Sequence, residues 1–210
     1  MASRIREPFN ALSHLMGAIF VLLATGYLVF LGRHNPVAWI SFLVFGAAGI
    51  YLYTASSIYH WTKTAKNGLQ KMDHTAIYVM IAGCYTPVCL IALSGPTGWA
   101  MLAVQWLLAI TGVVLTIVLA KPPMWVRLVL YLVMGWMVLP FASQVAQRSS
   151  TAALVWMLAG GLAYTIGTII YASRRPALWP GKFSSHELWH VFVMAGTLCH
   201  VMTMRGLVTA

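Results

Sequence analysis

The feature that most restricts this chain is a succession of seven apolar runs, each about 20 residues long, parted by short segments that hold most of its charge. As an α-helix, a run of that length covers roughly 30 Å, the depth of a bilayer's hydrocarbon core. Only helices and closed barrels satisfy every backbone polar group at that depth. Of the 210 residues, 60% are hydrophobic and 8% charged, which leaves little chain for a water-soluble domain. The mean hydropathy of +0.81 carries the same message. The expectation is an all-α integral membrane protein, one domain over 1–210 built as a bundle of seven transmembrane helices.

Spans are predicted near 10–31, 37–60, 74–94, 98–120, 124–146, 151–172 and 186–207. The segments between them read GRHNP, WTKTAKNGLQKMD, SGPTG, KPPMW, AQRSS and SRRPALWPGKFSS. The first run follows Arg4, Arg6 and Glu7 much as a signal peptide would, yet it continues to Leu31 without a small-residue cleavage pattern, so a retained span is expected. Pro87 and Pro140 fall inside spans, where each is expected to kink its helix.

The balance of 13 basic residues against three acids gives a net charge of +10. In a soluble chain that would suggest nucleic acid. Here the basic residues stand singly between apolar runs, so anionic lipid headgroups are the expected partners and nucleic acid is not. The N-terminus and the second, fourth and sixth connections, with Arg127 counted beside the fourth, carry ten of the basic residues and the opposite side three. That excess places the N-terminus in the cytoplasm and, across an odd number of spans, the C-terminus outside. Cys84, Cys89 and Cys199 all lie in apolar segments and read as small buried hydrophobes rather than disulfide partners. Trp39, Trp61, Trp125 and Trp179 read as interfacial anchors.

Sorted by depth, the polar residues collect at one level. Glu7, Asn10, Ser13 and His14 open the first span, Ser56 and His60 close the second, Asp73 and His74 open the third, and His186, Glu187 and His190 open the seventh. All of these face the cytoplasmic side, whereas His34 lies in an outer loop and His200 deep in the seventh span. Ionisable groups at membrane depth are costly unless they face the bundle interior and find partners, so one polar site built from four helices is expected.

Within it, HELWH at 186–190 has the form H-E-x-x-H, which in zinc proteases supplies two metal ligands and a general base. His186 and His190 stand on one helical face about 6 Å apart, suited to one metal. His60 is the best candidate for a third ligand. Three neutral imidazoles suit zinc and leave a fourth position for water, the arrangement of a catalytic site. Asp73 is then placed to take the proton of that water, and Ser56, one turn before His60, to hold the water or a substrate carbonyl. Hydrolysis of an ester or amide follows as chemistry. His74 reads as a helix cap or a supporting residue, His14 with Ser13, Asn10 and Glu7 as helix capping and interhelical bonding, and His200 as the bearer of a buried hydrogen bond. Glu187 points roughly 100° away from His186 and suits the positive end of its helix better than a base role.

The stretches EPFNALSH, SSIYH, KMDHTAIY followed by AGCYTP, and HELWHVFVMAGTLCH, in this order from Glu7 to His200, resemble the hemolysin III branch of the progestin and adipoQ receptor family. The resemblance implies seven helices, a cytoplasmic N-terminus and an intramembrane zinc site near the cytoplasmic side. Carried over motif by motif, the zinc ligands are His60, His186 and His190, the residue acting through a water is Asp73, and the serine of the S-x-x-x-H motif is Ser56. It further implies a multi-pass protein of a bacterial plasma membrane, with membrane lipids or fatty acyl chains in the bundle, acting as a zinc-dependent, ceramidase-like hydrolase of lipid amides or esters. Two alternatives stay open, a non-enzymatic sensor of membrane state with a structural zinc and a cytolysin. An intramembrane metalloprotease ranks last, since it would need an aspartate deep in another span and Asp73 sits at a span entrance.

Overall fold

The computed structural model describes residues 5–64, 66–119, 123–179 and 183–209, and it is helical nearly throughout. Helix α1 covers Pro8–Gly32, α2 Pro36–Trp61, α3 Lys66–Pro87, α4 Gly95–Val118, α5 Met124–Trp136, α6 Ala142–Arg148, α7 Thr151–Ser173 and α8 Ser185–Gly206. A π-helical turn at Val88–Leu93 prolongs α3, and a 3-10 turn at Leu139–Phe141 joins α5 to α6 so that the two make one membrane-length element. Among the described residues, six elements are long and apolar enough to span a bilayer. The seventh long helix, α8, falls outside that set because its 22 residues include three histidines, Glu187 and Arg205. The predicted third span starts too late: α3 begins at Lys66, whose following turn of polar residues hid its helical character. Asp73 and His74 therefore lie within the helix rather than at its start, and His74 is no helix cap. The predicted end of the fourth span at residue 120, and Arg4, Lys121 and Lys182 of the charge comparison, lie outside the described residues.

Local chemistry starts several helices. Asn35 caps α2 by accepting from Val37 N at 3.0 Å and Ala38 N at 3.4 Å, with Pro36 in the first helical position. Ser150 caps α7 through Ala153 N at 3.1 Å. Neighbours in sequence pack as neighbours in space, α1 on α2, α2 on α3, α3 on α4 and α7 on α8, and α8 closes the ring against α1. Close approach relies on small residues: a methyl group at Gly83 would lie 2.4 Å from Ala48 Cβ, and one at Gly46 2.2 Å from Thr25 Oγ1. Helix α3 runs down the middle, with 72% of its most apolar window buried against at most 50% for the other spans.

The helix is interrupted near Pro140, whereas α3 continues through Pro87 into its π-helical turn, and side chains satisfy backbone groups near both. Above Pro140, the Tyr85 hydroxyl donates to Gly135 O at 2.8 Å and accepts from Val138 N at 3.0 Å, filling the gap between α5 and its continuation. After Pro87 the chain turns through Ser94, at φ 30°, and Gly95, at φ 68°. Gln144 Nε2 and Arg148 Nη1 donate to Leu93 O, at 3.1 and 3.3 Å. Cys84 and Cys89 are buried free thiols and Cys199 is a partly buried one, as the apolar settings predict.

Replacing Tyr85 by Phe strips two backbone groups of their partner inside the bundle. Thermal unfolding of the purified protein in detergent should register a loss of about 1–3 kcal/mol. Gly26→Ala, whose added methyl meets nothing within 4 Å, should leave the midpoint in place.

Candidate metal centre

Residues just before α1 are strapped to the end of α2: Arg6 N donates to Trp61 O at 3.3 Å and Glu7 N to His60 O at 3.1 Å. The strap brings Glu7 Oε2 to 2.5 Å from His60 Nδ1. An imidazole that donates from Nδ1 presents Nε2 as a bare lone pair, and His60 Nε2 is buried without a hydrogen-bond partner. The bond from His60, with Asn10 and Arg6 at the carboxylate's other contacts, holds the Glu7 carboxyl down at about 2, against an ordinary 4.5. Asn10 Nδ2 donates to Glu7 at 3.2 Å and to Glu187 Oε1 at 3.1 Å, so one amide on α1 ties the strap to α8.

At the level of His60, α8 delivers His186 and His190. Ring centroids are 5.0 Å apart for His60 and His186, 4.8 Å for His60 and His190, and 5.1 Å for His186 and His190. One nitrogen from each lies within 4.8 Å of the others. His190 Nδ1, like His60 Nε2, is buried and unpartnered. Orphaned imidazole nitrogens converging from two helices, one of them aligned by a carboxylate, are what a metal ion in tetrahedral nitrogen coordination needs, so the residues present fit a metal. His34, placed in an outer loop by the sequence, is exposed and takes no part.

Other residues singled out by the sequence surround this trio. His14 packs its ring 3.8 Å from that of His190, and both its nitrogens are buried and unpartnered, so it is more deeply engaged than a capping residue. Ser13 only returns a bond to Asn10 O at 3.2 Å. Ser56 and Asp73 face each other across the α2–α3 interface closely enough for their side chains to interact. His14, Ser56, Asp73, His74, His186 and His190 all line one cavity, which runs inward from this level to His200.

Glu187 serves the helix start. Its Oε2 accepts from Ser184 N at 2.7 Å and from Ser184 Oγ at 2.5 Å, completing a capping box. Arg127 is the residue that sequence reasoning missed. Counted among the connection charges, it instead lies on α5, reaches His74 Nδ1 and lines the cavity beside Asp73, while Tyr131 donates to His74 O at 2.9 Å. Its position inside a predicted span was the available signal, since a cation there needs an inward-facing role.

Glu7→Gln keeps the shape of the His60 contact and removes its charge. Metal affinity, measured by competition with a chelator, should fall about 10–100-fold, the usual effect of losing a carboxylate behind a histidine ligand. An unchanged affinity would show that Glu7 does no more than anchor the strap.

The sequence pattern of the family described as haemolysin-III related matches residues 2–201. Over 195 residues the chain is 34% identical to the hemolysin-3 homolog of Bacillus subtilis (strain 168), covering 91% of this chain and 89% of that protein. It is 33% identical over 197 residues to hemolysin-3 of Bacillus cereus, covering 91% and 86%. A shorter stretch of 58 residues is 41% identical to the adiponectin receptor protein of Drosophila melanogaster, covering 25% of this chain and 13% of that one. The resemblance read from the motifs is thus matched along almost the whole chain, and this multi-pass membrane protein belongs to the haemolysin-III-related family.

Proposed function

We propose that the chain is a zinc-dependent hydrolase of lipid amide or ester bonds, with its site toward the cytoplasmic face of a bacterial plasma membrane. The observation that carries the reading is the convergence of three imidazoles at the polar end of a cavity whose inner walls are apolar, formed by residues such as Leu52, Ile77, Met80, Val88 and Val138. Such a cavity suits an acyl chain, with its head at the histidines. His60 through Nε2, with one nitrogen each from His186 and His190, would hold the zinc. When bound, zinc polarises a carbonyl and acidifies a water.

The rest is the work of the chain's own side chains. The Asp73 carboxylate, opposite the Ser56 hydroxyl, takes the proton of the attacking water as the new carbon–oxygen bond forms. It returns that proton to the leaving nitrogen or oxygen as the carbon–nitrogen or carbon–oxygen bond breaks, so it ends in its starting state. Arg127, at the same end of the cavity, offers a guanidinium to the carboxylate product. Apolar walls keep bulk water away from the rest of the chain. Glu187, with both carboxylate oxygens engaged by Ser184 and Asn10, is left out of the chemistry, which removes the general base that a metalloprotease reading of HELWH requires.

The names of the two Bacillus relatives support a second reading, lysis of membranes, in which the zinc would be structural. Release of a trapped dye from liposomes separates it from hydrolysis.

Purified protein should carry about one zinc per chain, and a His186→Ala, His190→Ala double variant should carry none. Against a panel of ceramides and acyl amides, fatty acid release should drop about 100-fold or more in Asp73→Asn with zinc retained, and persist in Glu187→Gln. Zinc content indifferent to the double substitution, or turnover indifferent to Asp73→Asn, would overturn the proposal.

A further inference from the structure

The trio, Asp73 and Arg127 use only the outer end of the cavity. His200 lies ten residues beyond His190 on α8, about 15 Å deeper, and lines the same cavity. Its Nδ1 is buried and has no hydrogen-bond partner. The imidazole is held flat against the Tyr164 ring, with centroids 5.5 Å apart and planes at 21°. Across on α7, Gly160 makes room for it, since a methyl group there would lie 3.0 Å from His200 Nε2.

Beside this imidazole stands a small knot of hydroxyls. Thr197 Oγ1 donates to Val193 O at 3.0 Å, receives the Tyr53 hydroxyl at 2.7 Å and contacts the Tyr164 hydroxyl at 2.9 Å. Threonine has one proton and two lone pairs, so with its proton on Val193 both tyrosines must donate to it. Tyr164 lines the cavity, and its oxygen, once it donates to Thr197, keeps acceptor capacity. The stacked His200 and Tyr164 therefore bring an imidazole and a phenol, a polar shelf, to a cavity also walled by Val88, Val138 and Met157. Polar groups at this depth are costly when they lack partners, and nothing in the trio's chemistry requires them.

We propose that the shelf is a second polar subsite, and that the cavity takes an amphiphile bearing a hydroxyl part-way along its hydrocarbon chain, with its head at the histidine trio and its hydroxyl on His200 and Tyr164. The inference rests on the lipid reading given above. A hydroxyl both donates and accepts, so it satisfies either tautomer of the imidazole, whereas a plain chain leaves the shelf unpaired. An extended chain reaches this depth after about a dozen carbons.

The test compares binding of stearate and 12-hydroxystearate to the purified full-length chain in lipid nanodiscs. The ratio of the two affinities should favour the hydroxy acid about three- to ten-fold more in the native protein than in His200→Phe, which keeps the stacking ring and removes its nitrogens. His200→Gln should recover part of the preference, and stearate affinity should stay constant throughout. Should His200→Phe fail to fold, Gly160→Ala, which crowds the ring without touching the trio, should lower the same ratio. An equal ratio in native and variant proteins overturns the subsite while leaving the lipid reading intact, and failure of both acids to bind the native protein overturns both.

Discussion

In hydrocarbon a polar group has no water to fall back on, so every one placed there must find its partner within the protein. Much of this fold can be derived from that constraint. It requires helices, and it demands a repair wherever a helix breaks: the Tyr85 hydroxyl stands between two backbone groups near Pro140, and Gln144 and Arg148 reach over to the carbonyl at the end of the π-helical turn after Pro87. The same constraint marks the exceptions. Among the described residues, the buried ring nitrogens left unpartnered belong to His14, His60, His190 and His200, and all four lie in or beside the cavity and the histidine trio.

The trio is assembled by different means on its two sides. On α8, the spacing of His186 and His190 follows from helical geometry alone, and the capping box of Ser184 and Glu187 fixes where that helix begins. On α2, the position of His60 depends on tertiary contact: its helix ends at the strap of residues 6 and 7, and a carboxylate outside the helix determines which nitrogen it presents. Local order supplies two of the nitrogens and long-range order the third.

This division explains what could be read from the sequence. The spans were legible because an apolar run of bilayer length has few other uses, and the histidines because titratable residues at one membrane level have few innocent ones. Helix α3 was misjudged at its start, where Lys66 to Met72 give a polar turn indistinguishable from a connection by composition. Helix α8 is the least apolar of the long helices after α3 for the opposite reason, that it carries the polar residues of the site. Arg127 looked like a boundary charge because a sequence does not show which way a residue at a span's edge is turned. Glu7 was read as a helix-opening residue, and only the backbone pairing of the strap with α2 brings it behind His60.

One small contact ties these threads together. The Asn10 amide reaches Glu187 across 177 positions of sequence while also holding Glu7, so α1 and α8 meet at the trio. A ribosome delivers α1 long before α8. The trio cannot exist before α8 is made, because two of its three nitrogens arrive with that helix. Any metal that the trio takes would therefore have to wait until α8 has packed against α1 and α2.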